Sequence, residues 1–264
     1  MIEHAITLLL FAALAAGAVM AALWLTQHFG VANAAVVDVG WGLNLAIAAG
    51  IYASYGIGAP ARRWIVAAMV LAWGLRLSWH LFSDRIWRKP EEGRYVQLRR
   101  EWQTNVPLKF FLFYEFQAAL GVLLSVAFLI PAMNPAPQIS GLEWFAAALW
   151  LVAFAGEWLA DAQLAAFKRG PDNRGRVCRT GLWKYSRHPN YFFEWLVWVA
   201  FALLASASPW GWTAALGPAL MLYFLFKVTG IPATEAQALR SRGDEYRAYQ
   251  RDTSAFVPWF PVRS

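Results

Sequence analysis

Seven stretches of this chain, 5–25, 33–55, 64–82, 110–130, 142–162, 191–207 and 212–231, are apolar runs close to the roughly 20 residues that cross a hydrocarbon core. Backbone N–H and C=O groups inside a bilayer must pair within their own segment, so each run is read as a helix and the chain as an all-α bundle of seven transmembrane helices. Composition agrees: 59% of the 264 residues are hydrophobic and only 15% charged, outside the range of soluble domains. The first run is preceded by Met1 to His4, which include Glu3 and no Lys or Arg. It is therefore expected to be a retained helix and not a signal peptide. Turn-forming stretches at 56–60, 131–137 and 206–211 separate helices, and the shortness of the last makes helices six and seven a hairpin.

Basic residues set the expected orientation. Segment 84–109 holds seven, 168–187 holds seven more, and the tail adds Arg240, Arg242, Arg247, Arg251 and Arg263, so that 19 of 23 Lys and Arg fall on one side of a seven-helix arrangement. That side should be cytoplasmic, with the N-terminus outside and the C-terminus inside. Residues 232–264 are polar enough to leave the bilayer core, yet Leu239, Tyr246, Tyr249, Phe256 and Trp259 keep them amphipathic. They are expected to form a cytoplasmic tail beneath the bundle, within one domain spanning 1–264. The net charge of +7 is carried by loops between apolar spans, which points to membrane lipids and away from nucleic acid. A single cysteine, Cys178, and four scattered histidines provide no metal-ligand spacing, so no metal is expected.

Residues 181–194, GLWKYSRHPNYFFE, carry the strongest functional signal, because a basic loop there runs directly into an apolar segment. Pro189 suits the first turn of a helix. Asn190 and Glu194 then share one face four residues apart, while Arg187 and His188 stand at the helix N-terminus, where an anionic group such as a phosphate would be held. The alternative is an interface cap in which Arg187 extends toward lipid headgroups.

Ionisable side chains inside apolar spans are costly and mark functional candidates. Asp38 sits in VVDVGWG, where Gly40 and Gly42 permit close backbone approach. It must be paired, with Arg76 as a candidate partner, or keep its proton. Arg76 and His80, Glu115, and the pair Glu157 and Asp161 complete the set. Glu157 and Asp161 either belong to a pocket opening to the cytosol or pair with Lys168 or Arg169 just past the helix end. Such a pocket suits a large polar ligand, its phosphates on basic loops and its hydroxyls or amide on Glu157, Asp161, Asn190 and Glu194. Nothing in the chain matches the glycine-rich turn of a soluble dinucleotide-binding domain.

The stretch GLWKYSRHPNYFFEW, the tail TGIPATEAQALRSRGDEYRAYQRDTSAFVPWFP, DVGWG in helix two and WGLRLSWHLFSDR in helix three closely resemble the bacterial membrane branch of the steroid 5-alpha-reductase family. The resemblance implies seven transmembrane helices in a bacterial inner membrane and NADPH-dependent reduction of a carbon–carbon double bond conjugated to a ketone. By the same resemblance Asn190 and Glu194 contact the nicotinamide end of NADPH. Asp161 serves the same pocket, Arg176 reaches the phosphates, and Lys168, Arg76 and Arg85 fall at basic family positions. Glu235 and Tyr246 of the tail join this cofactor group. The chain also departs from the family. In the animal enzymes a Glu on helix two and a Tyr on helix three bind the substrate ketone, whereas here the Tyr slot holds Trp73 and the nearest acid to the Glu slot is Asp38. Glu157 stands where the animal enzymes have Asn.

Enone reduction places hydride on the β carbon while charge develops on the ketone oxygen. A protonated Asp38 is the expected hydrogen-bond donor to that oxygen. An apolar small-molecule substrate is expected to enter from the bilayer and the cofactor from the cytosol. RHPNY, a helical hairpin and an acidic residue in a short tail are also similar to the isoprenylcysteine carboxyl and phospholipid methyltransferases, which bind S-adenosylmethionine at the corresponding place. There Glu235 matches the acid of the C-terminal motif, while DVGWG and the Arg76 helix favour the reductase.

Overall fold

A computed structural model describes residues 1–91, 93–228 and 230–262; Arg263, counted above among the basic residues of the tail, lies outside them. Among the described residues the regular structure is entirely helical. Helix α1 covers Ile2–Thr26, α2 Val36–Tyr55, α3 Pro60–Leu81, α4 Gly93–Trp102, α5 Val106–Ala132, α6 Gly141–Arg169, α7 Pro189–Ser206, α8 Leu216–Tyr223 and α9 Ile231–Asp252. Six helical segments of the described residues are long and apolar enough to cross a membrane: Ile2–Val31, Val36–Tyr55, Pro60–Ile86, Val106–Ala132, Gly141–Arg169 and Gly211–Asp252. Helix α7, expected as the sixth span, is not among them. It is 18 residues long and its first half carries Asn190 and Glu194, which lower its hydropathy. The polar helix α4, placed by the sequence reading in a basic loop, is an addition.

The chain forms two compact units. The first comprises Met1–Ile139 with Ala207–Gly211, and the second comprises Ser140–Ser206 with the described residues from Trp212 onward.

In the first unit α1, α2, α3 and α5 pack on one another, and the closest approach is that of α2 to α3. A Cβ at Gly42 would lie 2.5 Å from the Gly74 carbonyl oxygen, and one at Gly74 would lie 2.7 Å from that of Gly42. Backbones this close admit no side chain between them. Ser78 Oγ donates to the Val39 carbonyl at 2.9 Å across the same seam. Tyr52 and Ser125 hydroxyls meet at 2.8 Å, which ties α2 to α5, and Trp24 Nε1 donates to the Pro107 carbonyl at 3.0 Å, which ties α1 to the start of α5. Arg62, one of two basic residues assigned to the opposite loops, is buried. It donates to the carbonyls of Asn134 at 3.1 Å, Ala136 at 2.6 Å and Gln138 at 2.6 Å, fastening the loop after α5. A guanidinium has enough donors in a fixed fork to satisfy several carbonyls at once.

In the second unit α6 opens with a capping box in which Ser140 Oγ accepts from the Glu143 amide and Glu143 returns the bond to the Ser140 amide. Helix α7 lies along α6. Between them runs an irregular loop held by Trp183 Nε1 to the Ala160 carbonyl at 2.9 Å and by the Leu182 amide to Gln163 Oε1 at 2.8 Å. Helix α9 is broken at Gly243, whose φ of 51° lies in the region that side chains with a Cβ avoid. Its apolar face, Ala238, Tyr246 and Tyr249, closes on Val177 of the loop. With eight ionised side chains in 22 residues, α9 is amphipathic and too polar for a hydrocarbon core.

Candidate functional site

Pro189 begins α7, as its fixed φ and missing N–H favour. Immediately before it Ser186, Arg187 and His188 turn the chain and bind it to the tail. Arg187 directs Nε to Glu235 Oε1 at 2.7 Å and Nη1 to the carbonyls of Gln250, at 3.0 Å, and Thr253. The Arg187 amide donates to the Ser254 carbonyl at 2.8 Å. His188, 3% exposed, stacks on Tyr191 and places Nε2 3.3 Å from Glu235 Oε1. Gln250 Nε2 donates to Glu235 Oε2 at 2.8 Å, and the Tyr246 hydroxyl reaches Oε1 at 3.4 Å. Burial raises the Glu235 carboxyl, and the hydrogen bonds from His188, Arg187 and Gln250 together with the Arg187 charge outweigh it, leaving it lowered to about 2. Glu235 is therefore the ionic centre that fastens the tail to the N-terminus of α7. The donors of Arg187 and His188 that sequence reading aimed at an anionic ligand are directed here into the protein.

Past this clamp, α7 presents Asn190 and then Glu194 to α6. Asn190 Nδ2 donates to Asp161 Oδ1 at 3.2 Å, so the two helices meet through the polar side chains that the spacing had singled out. Glu157 stands one turn before Asp161, as Glu194 stands one turn after Asn190. The antiparallel run of α6 and α7 sets those two acids at one level, where a Cβ at Gly156 would lie 2.4 Å from the Phe193 ring. Glu157 and Asp161 are only 3% and 8% exposed. Two buried carboxylic acids, an amide and a half-buried glutamate thus line one stretch of the α6–α7 seam, the donor and acceptor set that hydroxyls and amides of a polar ligand require. Lys168 at the end of α6 and Arg176 in the following loop are exposed; Arg176 lends its carbonyl to Arg242 Nε at 2.9 Å.

The remaining sequence candidates lie in the first unit. Asp38 Oδ2 accepts from Arg85 Nη1 at 2.7 Å, and Oδ1 accepts from Arg94 Nη2 at 2.5 Å and from the Tyr95 hydroxyl at 2.8 Å. The sequence reading offered Arg76 as partner or a protonated Asp38 as donor. The structure supplies Arg85 and Arg94 as partners and makes Asp38 an acceptor of three bonds, because the chain after α3 folds back over the start of α2. Trp73 is fully buried in α3 beside Gly74, and Arg76 is half-buried one turn before His80. Glu91 and Arg99 extend the network: Arg99 binds Glu91 through two nitrogens at 2.9 and 3.0 Å, and Glu91 accepts from the Ala34 amide at 2.8 Å. Sequence reasoning passed over Arg94, Tyr95, Glu91 and Arg99 because they stand in a charged loop, where such residues are ordinarily solvated; it passed over Gln250 for the same reason. Among the described residues no group of three or more His, Cys, Asp or Glu is arranged to hold a metal ion.

Comparison with known proteins adds two similarities. The chain is 28% identical over 234 residues to the uncharacterized protein C594.04c of Schizosaccharomyces pombe, an alignment that covers 77% of this chain and 66% of the yeast protein, just under two thirds of its length. No solved structure matches the chain. A family model described as a protein of unknown function, DUF1295, matches residues 23–253. That match takes in α2 to α9 almost entire, including both the Asp38 network and the α6–α7 seam, and the chain belongs to this family.

Proposed function

We propose that this protein is an NADPH-dependent membrane reductase of the carbon–carbon double bond of an apolar enone, akin to the steroid 5-alpha-reductase family. The observation that carries the reading is the Asp161–Asn190 hydrogen bond at 3.2 Å, with Glu157 and Glu194 one turn beyond it on the facing helices. These are the positions that the likeness to the reductases assigns to the cofactor. They fit the group: buried carboxylates and an amide can bind ribose hydroxyls and a carboxamide, and the exposed Lys168 and Arg176 add positive charge suited to phosphates. The Glu235 clamp with Arg187, His188 and Tyr246 holds α7 so that Asn190 and Glu194 keep their register against α6. NADPH, when bound, supplies the hydride.

In this reading α7 completes the set of crossings to seven, the N-terminus lies outside and the basic loops face the cytoplasm, in the inner membrane of a bacterium. An apolar substrate reaches the protein through the bilayer.

A second reading, an S-adenosylmethionine-dependent methyltransferase of the isoprenylcysteine or phospholipid type, is favoured by one specific contact. Glu235, the residue that matches the tail acid in the methyltransferase likeness, meets Arg187 and His188 of RHPNY. The test titrates NADPH, NADH and S-adenosylmethionine against the detergent-purified protein and follows thermal stabilisation. Selective stabilisation by NADPH, lost in Glu194→Ala, is expected. Stabilisation by S-adenosylmethionine alone would overturn the reductase in favour of the methyltransferase.

A further inference from the structure

Residues 257–262, past the end of α9, carry four large apolar side chains in six positions, and all four face outward: Val257, Trp259, Phe260 and Val262 are between 52% and 75% exposed. Phe256, immediately before them, is buried and packs edge-on against Phe192, Trp195 and Phe226. One ring thus seats the segment in the second unit, and the next four apolar side chains are turned away from it. An exposed apolar cluster of this density marks a surface that something else covers.

The backbone of the segment is suited to apolar surroundings. The Trp259 amide donates to the Tyr185 carbonyl and the Val262 amide to the Asp252 carbonyl, each at 2.9 Å, while Pro258 and Pro261 have no N–H to satisfy. Four of the six positions therefore bring no free donor with them, which lowers the cost of placing non-helical backbone beside hydrocarbon. The neighbours of the segment belong to a membrane surface. Tyr185 stands edge-on to Phe260 with ring centroids 5.9 Å apart, and Lys184 Nζ lies 5.9 Å from the Tyr185 ring. Trp183 of the same loop donates Nε1 to the Ala160 carbonyl of α6 at 2.9 Å. Ala160 adjoins Trp158 and Leu159, both exposed on a helix long and apolar enough to cross the bilayer. Aromatic rings with a lysine at their edge, towards the end of a span, are the composition of the headgroup boundary.

We propose that residues 257–262 form an interfacial anchor, in which Val257, Trp259, Phe260 and Val262 insert between the headgroups and acyl chains of the leaflet beside α6 while Lys184 meets the lipid phosphates. The occupant is a lipid surface and not a second protein, because the loop that holds the segment leads to a helix face already turned to lipid and carries a cation at its edge. The anchor also bears on the Glu235 clamp. The chain just before it accepts the Arg187 amide at the Ser254 carbonyl and the Ser186 hydroxyl at the Phe256 carbonyl, each at 2.8 Å, so the bilayer steadies the stretch that holds the head of α7. None of this depends on which cofactor the α6–α7 seam takes.

The test reconstitutes the full chain, carrying Cys178→Ser, in vesicles of phosphatidylcholine and phosphatidylglycerol. A nitroxide is attached at Phe260→Cys or, should that label disturb the contact with Tyr185, at Val262→Cys. Its collisions with oxygen, which concentrates in hydrocarbon, are compared with those of a neutral water-soluble nickel chelate, and Arg247→Cys, on an exposed polar part of α9, is the aqueous reference. Oxygen is expected to exceed nickel at the anchor labels and the order to reverse at the reference. Nickel accessibility at the anchor equal to that of Arg247→Cys would make the segment a loop in water. Low accessibility to both reagents would mean that protein covers it, either a partner or a second copy of the chain. Either result overturns the proposal.

Discussion

Glu235 accepts from Arg187, Gln250 and Tyr246 and lies beside His188, so removing its charge leaves a mostly buried guanidinium without its counter-ion. Glu235→Leu is expected to lower stability by about 3 kcal/mol, the usual cost of breaking a buried pair from one side, and urea denaturation in detergent measures it. The carboxyl is held at about 2, below its unfolded value of about 4.3. Its contribution is therefore fully present above that unfolded value and is lost as pH falls toward about 2. The gap in denaturation midpoint between wild type and Glu235→Gln should accordingly be constant at neutral pH and shrink below about pH 4; a gap that widens on acidification would contradict the pairing. Asp38 is the matching case in the first unit. Asp38→Ala removes an acceptor shared by Arg85, Arg94 and Tyr95 and, with the two guanidinium groups 30% and 38% exposed, should destabilise by about 1 kcal/mol, while thermal stabilisation by NADPH is retained. Loss of that stabilisation in a folded variant would place Asp38 in the cofactor site.

At the scale of elements, DVGWG and WGLRLSWH are two halves of one contact. Gly42 and Gly74 face each other with room for neither to carry a Cβ. Gly74→Leu should force α2 from α3 and cost about 2–3 kcal/mol, read as a drop in melting temperature. An unchanged melting temperature would show that the helices can part without loss. Gly243 is a milder case: its φ of 51° makes Gly243→Ala cost about 1 kcal/mol, mostly in the seating of α9 on Val177. Pro189 at the head of α7 was legible because proline's effect is local. Helix α4 was not, since GRYVQLRREW has no long apolar run and forms against partners far along the chain. The end of α5 was misjudged for a related reason. Pro131 reads as a turn, yet it lies in the last turn of the helix, where the carbonyls of Ala132 and Asn134 still have partners in Gly58 and Ala59.

At the scale of the molecule, orientation is the open physical question that charge answers. In a Cys178→Ser background, Glu3→Cys is expected to react with a membrane-impermeant maleimide added to intact cells, and Arg251→Cys only after lysis; the reverse pattern would invert the topology. The sequence by itself determined that the chain is helical and membrane-embedded, where its main apolar segments lie, that its tail is amphipathic, and that Asp161, Asn190, Glu157 and Glu194 stand on spacings that can share a face. Those properties follow from length, hydropathy and helical period, which act over a few turns. Only the tertiary structure decided which charges meet: Asp38 with Arg85 and Arg94, Arg187 with Glu235, and Arg62 with three carbonyls of a distant loop. Partners separated by 47 to 76 residues are chosen by how the helices rotate and where the loops return. No local pattern records that, and the same packing left the Asn44 amide without a hydrogen-bond partner among the described residues, in the middle of a span.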